Sequence, residues 1–300
     1  MSQLGLIVSN EFKTDISSKS FWISTFLVPI ILGLFGAFAG VMMADSSFLS
    51  ATESLPTTPD ANEMTPLKAL GMMLGIFPVL FLMIYGSMIF NKVKTEKCNR
   101  IVEILATCVD GRTMMLGKII SVGLIGLLQL TLWFLIGACV VGISLLMVGV
   151  SFPWEVLGRF DYWMALIWAL VYFIGGYVFY GALFAAVGAM TDKNNENQSY
   201  VAVLTFTLLA SFYIGEYAVD NSSGAFIMVC SFVPFTSSTV LTVISAAKEA
   251  PLWLSLTGLA VLYVFAFLTL ATAGKIYTSS LLLKGKKFTP RDILVFLKSK

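Results

Sequence analysis

NKVKTEKCNRIVEILATCVDGRTMMLGKI, residues 91–119, decides the fold. It is a charged stretch in an otherwise apolar chain. The runs on either side are long enough to cross a bilayer, which takes about 20 apolar residues. The stretch carries Lys92, Lys94, Lys97, Arg100, Arg112 and Lys118. Lys and Arg are retained on the cytoplasmic side of a membrane, so the stretch is expected there. Ile101, Ile104, Leu105 and Cys108 recur at i, i+3, i+4 and i+7, one apolar stripe of a helix. Lys97, Arg100 and Glu103 fall on its other faces. Such a helix between two spans has three readings: it lies on the lipid surface, it only connects, or it docks into a groove on a soluble partner.

The rest of the composition agrees with a membrane setting. The chain has 300 residues, 58% hydrophobic and 12% charged, where soluble proteins carry about 25% charge. An integral membrane protein is expected, with the lipid bilayer as its surroundings and no nucleic-acid partner. There is no histidine, which excludes Ser-His proteases, HExxH metalloproteases and haem held by His. Cys98, Cys108, Cys139 and Cys230 include no CxxC pair, so neither a disulfide framework nor a zinc site is implied. No catalytic residue and no metal ligand is predicted.

Outward from the stretch, the chain reads as six spans. Residues 1–20 place Leu6, Ile7, Phe12 and Ile16 among polar residues, the pattern of an interfacial helix. The first span is expected over 21–43; its apolar core is too long for a signal peptide. Residues 44–66 hold Asp45, Glu53, Asp60 and Glu63 and read as a short outer loop. Spans follow over 67–90, 120–148, 163–190, 200–218 and 252–274. Residues 225–247 are apolar, but Pro234 and the cluster Thr236, Ser237, Ser238, Thr239 divide them into halves too short to cross. A re-entrant hairpin on the outer side is expected there. The tail 275–300 is basic and expected inside. With both termini cytoplasmic, every Lys and Arg except Lys68, Arg159 and Lys248 falls on the inner side, while the carboxylates divide about evenly. The whole chain, 1–300, is thus read as one transmembrane domain with no soluble domain and no motor of its own. GRTMMLGKI is not a phosphate loop, because five residues separate Gly111 from Gly117 and Ile119 stands where Ser or Thr is needed.

Four segments resemble one family. SKSFWISTFLVP (18–29), EKCNRIVEILATCVDGRTMMLGKI (96–119) with GLLQLTLW (126–133), GALFAAVGAMTDKNNENQS (181–199), and SFVPFTSSTVLTV (231–243) with APLWLS and the tail KIYTSSLLLKGKKFTPRDIL follow one another along nearly the whole chain. Together they resemble the permease subunits of ATP-binding-cassette exporters, specifically the ABC type-2 permeases related to the sodium-exporter subunit NatB. Many NatB-like permeases carry a large outer domain after the first span, whereas residues 44–66 are short. The resemblance implies six helices, an outer re-entrant hairpin, and a dimer with an identical or similar permease. It implies two separate ATPase subunits, which bind ATP and Mg; no cofactor is expected in this chain. It implies a coupling helix within 91–119, with Glu96, Lys97, Arg100, Ile101, Glu103 and Ile104 meeting the ATPase. It also implies a bacterial inner-membrane location and leaves the substrate open among sodium, a lipid, a peptide and a drug.

Four further residues are candidates for a substrate path: Gln129 in mid-span, Glu216 near the outer end of a span, and Thr236 and Ser237 at the hairpin. Each has a structural reading too. Gln129 would make an interhelical hydrogen bond, Glu216 would be a solvated boundary residue, and the hydroxyls would satisfy backbone groups freed at Pro234. Gly36/Gly40 and Gly71/Gly75 are GxxxG pairs, which serve close helix packing within or between chains. The alternative function is a self-contained carrier or channel driven by an ion gradient. It calls for paired ionisable residues at mid-membrane, and the span centres are almost free of charge.

Overall fold

The computed structural model describes residues 3–19, 21–23, 25–27, 29–30, 66–98, 111–148, 160–191, 198–222, 224–248 and 250–282. Among these residues every regular element is a helix. They are α1 (Gln3–Ile16), α2 (Pro66–Cys98), α3 (Gly111–Val148), α4 (Phe160–Met190), α5 (Gln198–Asp220), α6 (Ala225–Phe232), α7 (Pro234–Ala246) and α8 (Leu252–Leu282). Among the described residues five stretches are long and apolar enough to cross a membrane: Leu70–Lys97, Gly111–Gly137, Phe160–Met190, Ser199–Asp220 and Leu252–Ser280. The bent pair α6–α7 makes a sixth if it counts as one broken span. Most of the expected first span, 21–43, and the loop 44–66 except residue 66 lie outside the described residues.

Two helices run past their expected ends into the charged stretch. α2 continues from residue 90 through Cys98, and α3 begins at Gly111, not at 120. The reason is local. NKVKTEKC contains no Gly or Pro to stop a helix, and Lys92 and Glu96 face each other at i, i+4. The apolar stripe at residues 101–108 lies outside the described residues.

The chain parts into two compact units. The first comprises Met1–Glu11, Thr65–Gly123 and Arg159–Lys300. Its middle is α4, the most enclosed candidate span with 67% of its apolar window buried, against 22% for α5. α4 packs on α2 and α8. Its apolar core includes Tyr172, Phe179, Tyr180 and Phe184 with Leu82, Leu208, Leu241, Ile244 and Leu262. In the second unit, Phe12–Met64 and Leu124–Gly158, Thr25 is buried and donates its hydroxyl to the Phe21 carbonyl at 2.7 Å.

α7 threads the first unit. Every residue from Ser237 to Ala247 is buried, against α2, α4, α5 and α8. Glycines make the approach possible. A Cβ on Gly71 would sit 2.8 Å from the Val243 carbonyl oxygen, and one on Gly75 would fall onto Val243 Cγ2. The Gly71/Gly75 pair therefore serves packing within the chain. α6 and α7 bend by 119° at Val233, where φ −74° and ψ 118° leave the helical region. Pro234 then opens α7, a position where its missing N–H costs least.

Candidate functional site

The charged stretch meets the N-terminal helix in a chain of alternating charges. α1 brings Glu11. α2 brings Lys92 and Glu96, one turn apart on one face. α3 brings Lys118, and α8 brings Tyr277. Lys92 Nζ donates to Glu11 Oε2 at 2.7 Å. Lys118 Nζ donates to Glu11 Oε1 at 3.0 Å and also to Glu96 Oε1. The Tyr277 hydroxyl donates to Glu96 Oε2 at 3.3 Å. Five side chains from four helices thus form one line, Lys92–Glu11–Lys118–Glu96–Tyr277.

Lys118 is its centre, with a side chain only 1% exposed. An isolated ammonium cannot stay charged in such a place. Two carboxylates hold it, so the cluster of two lysines and two glutamates is neutral. Burial alone would push the Glu11 carboxyl up. The charges of Lys118 and Lys92 and their hydrogen bonds outweigh burial and hold it below the usual carboxylate range. Shape supports the same contact: a Cβ on Gly117 would sit 2.6 Å from Ile7 Cγ2, so α1 lies directly on the turn of α3 that presents Lys118.

Of the residues expected to meet an ATPase, Glu96 belongs to this line, and Lys97 is half-buried beside it on α2. Arg100, Ile101, Glu103 and Ile104 lie outside the described residues. The path candidates do not gather at this site. Gln129 is buried on α3. Glu216 is exposed on α5, one turn before Asp220, which pairs with Lys68 at 3.5 Å. Thr236 has a backbone task. Pro234 lacks the N–H that would have bonded the Cys230 carbonyl, and the Thr236 hydroxyl donates to that oxygen at 2.6 Å instead. Tyr180 likewise donates to the Phe235 carbonyl at 2.6 Å. Ser237 is buried, and its hydroxyl, like those of Ser238 and Thr239, has no hydrogen-bond partner among the described residues.

Glu11, Lys92, Lys118 and Tyr277 are not legible as a group in the sequence. The Lys92–Glu96 spacing was visible. Nothing in the sequence tells that Glu11 reaches across more than a hundred residues to Lys118.

The chain has relatives. The pattern of the ABC-2 family transporter proteins matches residues 41–275, a range that holds Lys92, Glu96 and Lys118 of the line but neither Glu11 nor Tyr277. The uncharacterized protein YhaP of Bacillus subtilis is 25% identical over 232 residues, 73% of this chain and 54% of the relative. An uncharacterized protein of Methanocaldococcus jannaschii is 21% identical over 209 residues, 70% of this chain and 49% of the relative. The chain spans about half the length of these curated relatives. No solved structure matches it. The family pattern covers most of the chain in order, over helices long and apolar enough for repeated membrane crossing; the protein is a member of the ABC-2 transporter family and a multi-pass membrane protein.

Proposed function

We propose that this chain is the membrane-spanning subunit of an ATP-driven ABC exporter of the bacterial cytoplasmic membrane. It pairs with a second permease, identical or similar, and works with two separate ATPase subunits that bind ATP and Mg. The observation that carries the reading is the charge line. It ties α1, α2, α3 and α8 together at the end of the bundle where α2 and α3 enter the coupling stretch. A push on residues 91–119 from an ATPase would reach three candidate spans and the N-terminal helix at once. Glu96 then has two tasks, facing the ATPase side and holding Lys118. Both termini lie on the cytoplasmic side, α1 lies along that membrane surface, and α6–α7 form a re-entrant hairpin on the other. The transport path runs between the two permeases, with Gln129, Glu216, Thr236 and Ser237 along it.

Tagged purification in mild detergent tests the reading. A stoichiometric ATP-binding-cassette ATPase is expected to accompany the chain, and the Arg100→Ala/Glu103→Ala variant is expected to lose it. A chain that purifies alone and moves solute on an ion gradient in liposomes would overturn the proposal. Undiminished ATPase association and transport in the double variant would overturn the coupling role of residues 91–119.

A further inference from the structure

Among the described residues, carboxylates do not pair with every cation at this end of the bundle. Lys92 and Lys118 are held by carboxylates, and Lys94 lies over the Phe90 ring at 5.9 Å. Arg112 on α3 and Lys275 on α8 have no carboxylate partner among the described residues, and neither α3 nor α8 contains a single Asp or Glu. The fold lays the Arg112 stem on α8 one residue before Lys275. The Arg112 stem lies across α8, its Cγ 3.1 Å from where a Cβ on Gly274 would be, and Lys275 is the next residue. One turn further, Gly111 packs on Thr278, so the crossing is fixed on both sides of Lys275.

Each cation also heads an apolar track. On α8, Val264, Leu268, Ala271 and Lys275 fall on one face at helical spacing; Val264 and Leu268 are more than half exposed. On α3, Arg112 is followed at the same spacing by half-buried Leu116 and exposed Ile120. Two cations without a carboxylate partner among the described residues, at the ends of exposed apolar stripes, match one kind of ligand in both parts, an anionic headgroup above acyl chains.

We propose that Arg112 and Lys275 bind the phosphate of an anionic phospholipid whose acyl chain lies along Val264, Leu268 and Ala271. Arg112 supplies a planar fork for two phosphate oxygens, and Lys275 a point charge beside it. The site does not depend on the ATPase reading, since it asks only for a bilayer.

The test uses the full chain, stripped of lipid in detergent and titrated with phosphatidylglycerol or phosphatidylcholine under native mass spectrometry. Wild type is expected to bind phosphatidylglycerol more tightly than phosphatidylcholine. Each basic residue near a membrane surface contributes about 1 kcal/mol, so Arg112→Gln or Lys275→Gln should weaken binding about fivefold, and both together about thirtyfold. Arg112→Lys/Lys275→Arg should keep most of the affinity, which separates lost charge from lost fold. Lys94→Gln should bind as wild type does. Equal loss in Lys94→Gln would overturn the site in favour of diffuse charge. Wild-type affinity in the Arg112→Gln/Lys275→Gln variant would overturn it outright. So would tight binding of inorganic phosphate with no preference between the two lipids, which would mark a free-phosphate site.

Discussion

Removing the charge of Lys118 should harm the protein less than removing the charges that hold it. In Lys118→Met the buried ammonium is gone and an apolar chain of similar volume takes its place. Glu11 keeps Lys92 at 2.7 Å, and Glu96 keeps Tyr277. Both carboxylates still reach water, with side chains 21% and 31% exposed. Replacing a buried ionic group by a well-packed apolar one is often close to neutral, so the cost should be about 1 kcal/mol or less. Glu11→Gln/Glu96→Gln leaves Lys118 in place, 1% exposed and with no counter-charge. An uncompensated buried charge costs about 3–5 kcal/mol. The lower end applies, because the amide oxygens still accept hydrogen bonds from the ammonium.

A gap of about 2 kcal/mol corresponds to about 4–8 °C in apparent melting temperature for a domain of 150–250 residues. The assay is loss of monodisperse protein after heating in detergent. Hydrogen exchange over α1 provides a local readout. The triple variant Glu11→Gln/Glu96→Gln/Lys118→Met should recover to within about 1 kcal/mol of Lys118→Met, since it removes the stranded charge. The reasoning is refuted if Lys118→Met is as damaging as the double glutamine variant, or if the triple variant shows no recovery.

Other outcomes follow from the same geometry. The lowered Glu11 pKa means that its share of stability is fully present above the unfolded value of 4.5 and is lost as pH falls through the lower folded value. Exchange protection of α1 should therefore be flat from pH 7 to pH 5 and fall only in more acid solution, and Glu11→Gln should abolish that acid step. Gly75→Ala should cost about 1–3 kcal/mol by overpacking against Val243 Cγ2. Val243→Ala should rescue it in a thermal-stability assay. It should not rescue Gly71→Ala, whose Cβ meets the Val243 backbone oxygen. Thr236→Val strands the Cys230 carbonyl and should cost about 1–3 kcal/mol, whereas Thr236→Ser should melt close to wild type.

Much of the architecture was legible in the sequence because hydropathy acts over whole segments. A run of twenty apolar residues announces itself, so α4, α5 and α8 begin within about three residues of their expected starts. The break at Pro234 was legible too, since the ring removes a donor wherever it stands. Its repair by Thr236 matches the structural reading of that hydroxyl. The charge line was not legible, because it is a matter of distance in space. Glu11, Lys92 and Lys118 each look like ordinary polar residues at a membrane boundary. The packing of α1 on α3, where Ile7 meets Gly117, sets Glu11 beside the buried Lys118. The continuation of α2 beyond the span end expected at residue 90 was not legible from hydropathy, which stops at the first charges, while Lys92 and Glu96 at i, i+4 support a helix through Cys98.

In lipid, apolar burial does not draw helices together, so contacts must come from close fit or from polar groups. The first unit uses both, with a different weight in different places. Around α7 the close contacts are glycine against Val243 and Ser238, shape on shape, with the Tyr180–Phe235 and Ser245–Ser255 hydrogen bonds beside them. Such a contact has one good arrangement, because a shift of half a turn would set Val243 against a side chain in place of Gly75. At Lys118 the contacts are charges with more than one acceptor in reach. Glu11 already divides its two oxygens between Lys92 and Lys118, and Lys118 divides its protons between Glu11 and Glu96. A line of this kind can exchange one partner for another while every charge stays compensated, whereas a single buried pair would have to strand both charges to move. The consequence is a division of labour within one unit: the α7 region resists rearrangement, and the region around Lys118 permits it. That is the distribution expected if movement enters through the stretch between α2 and α3.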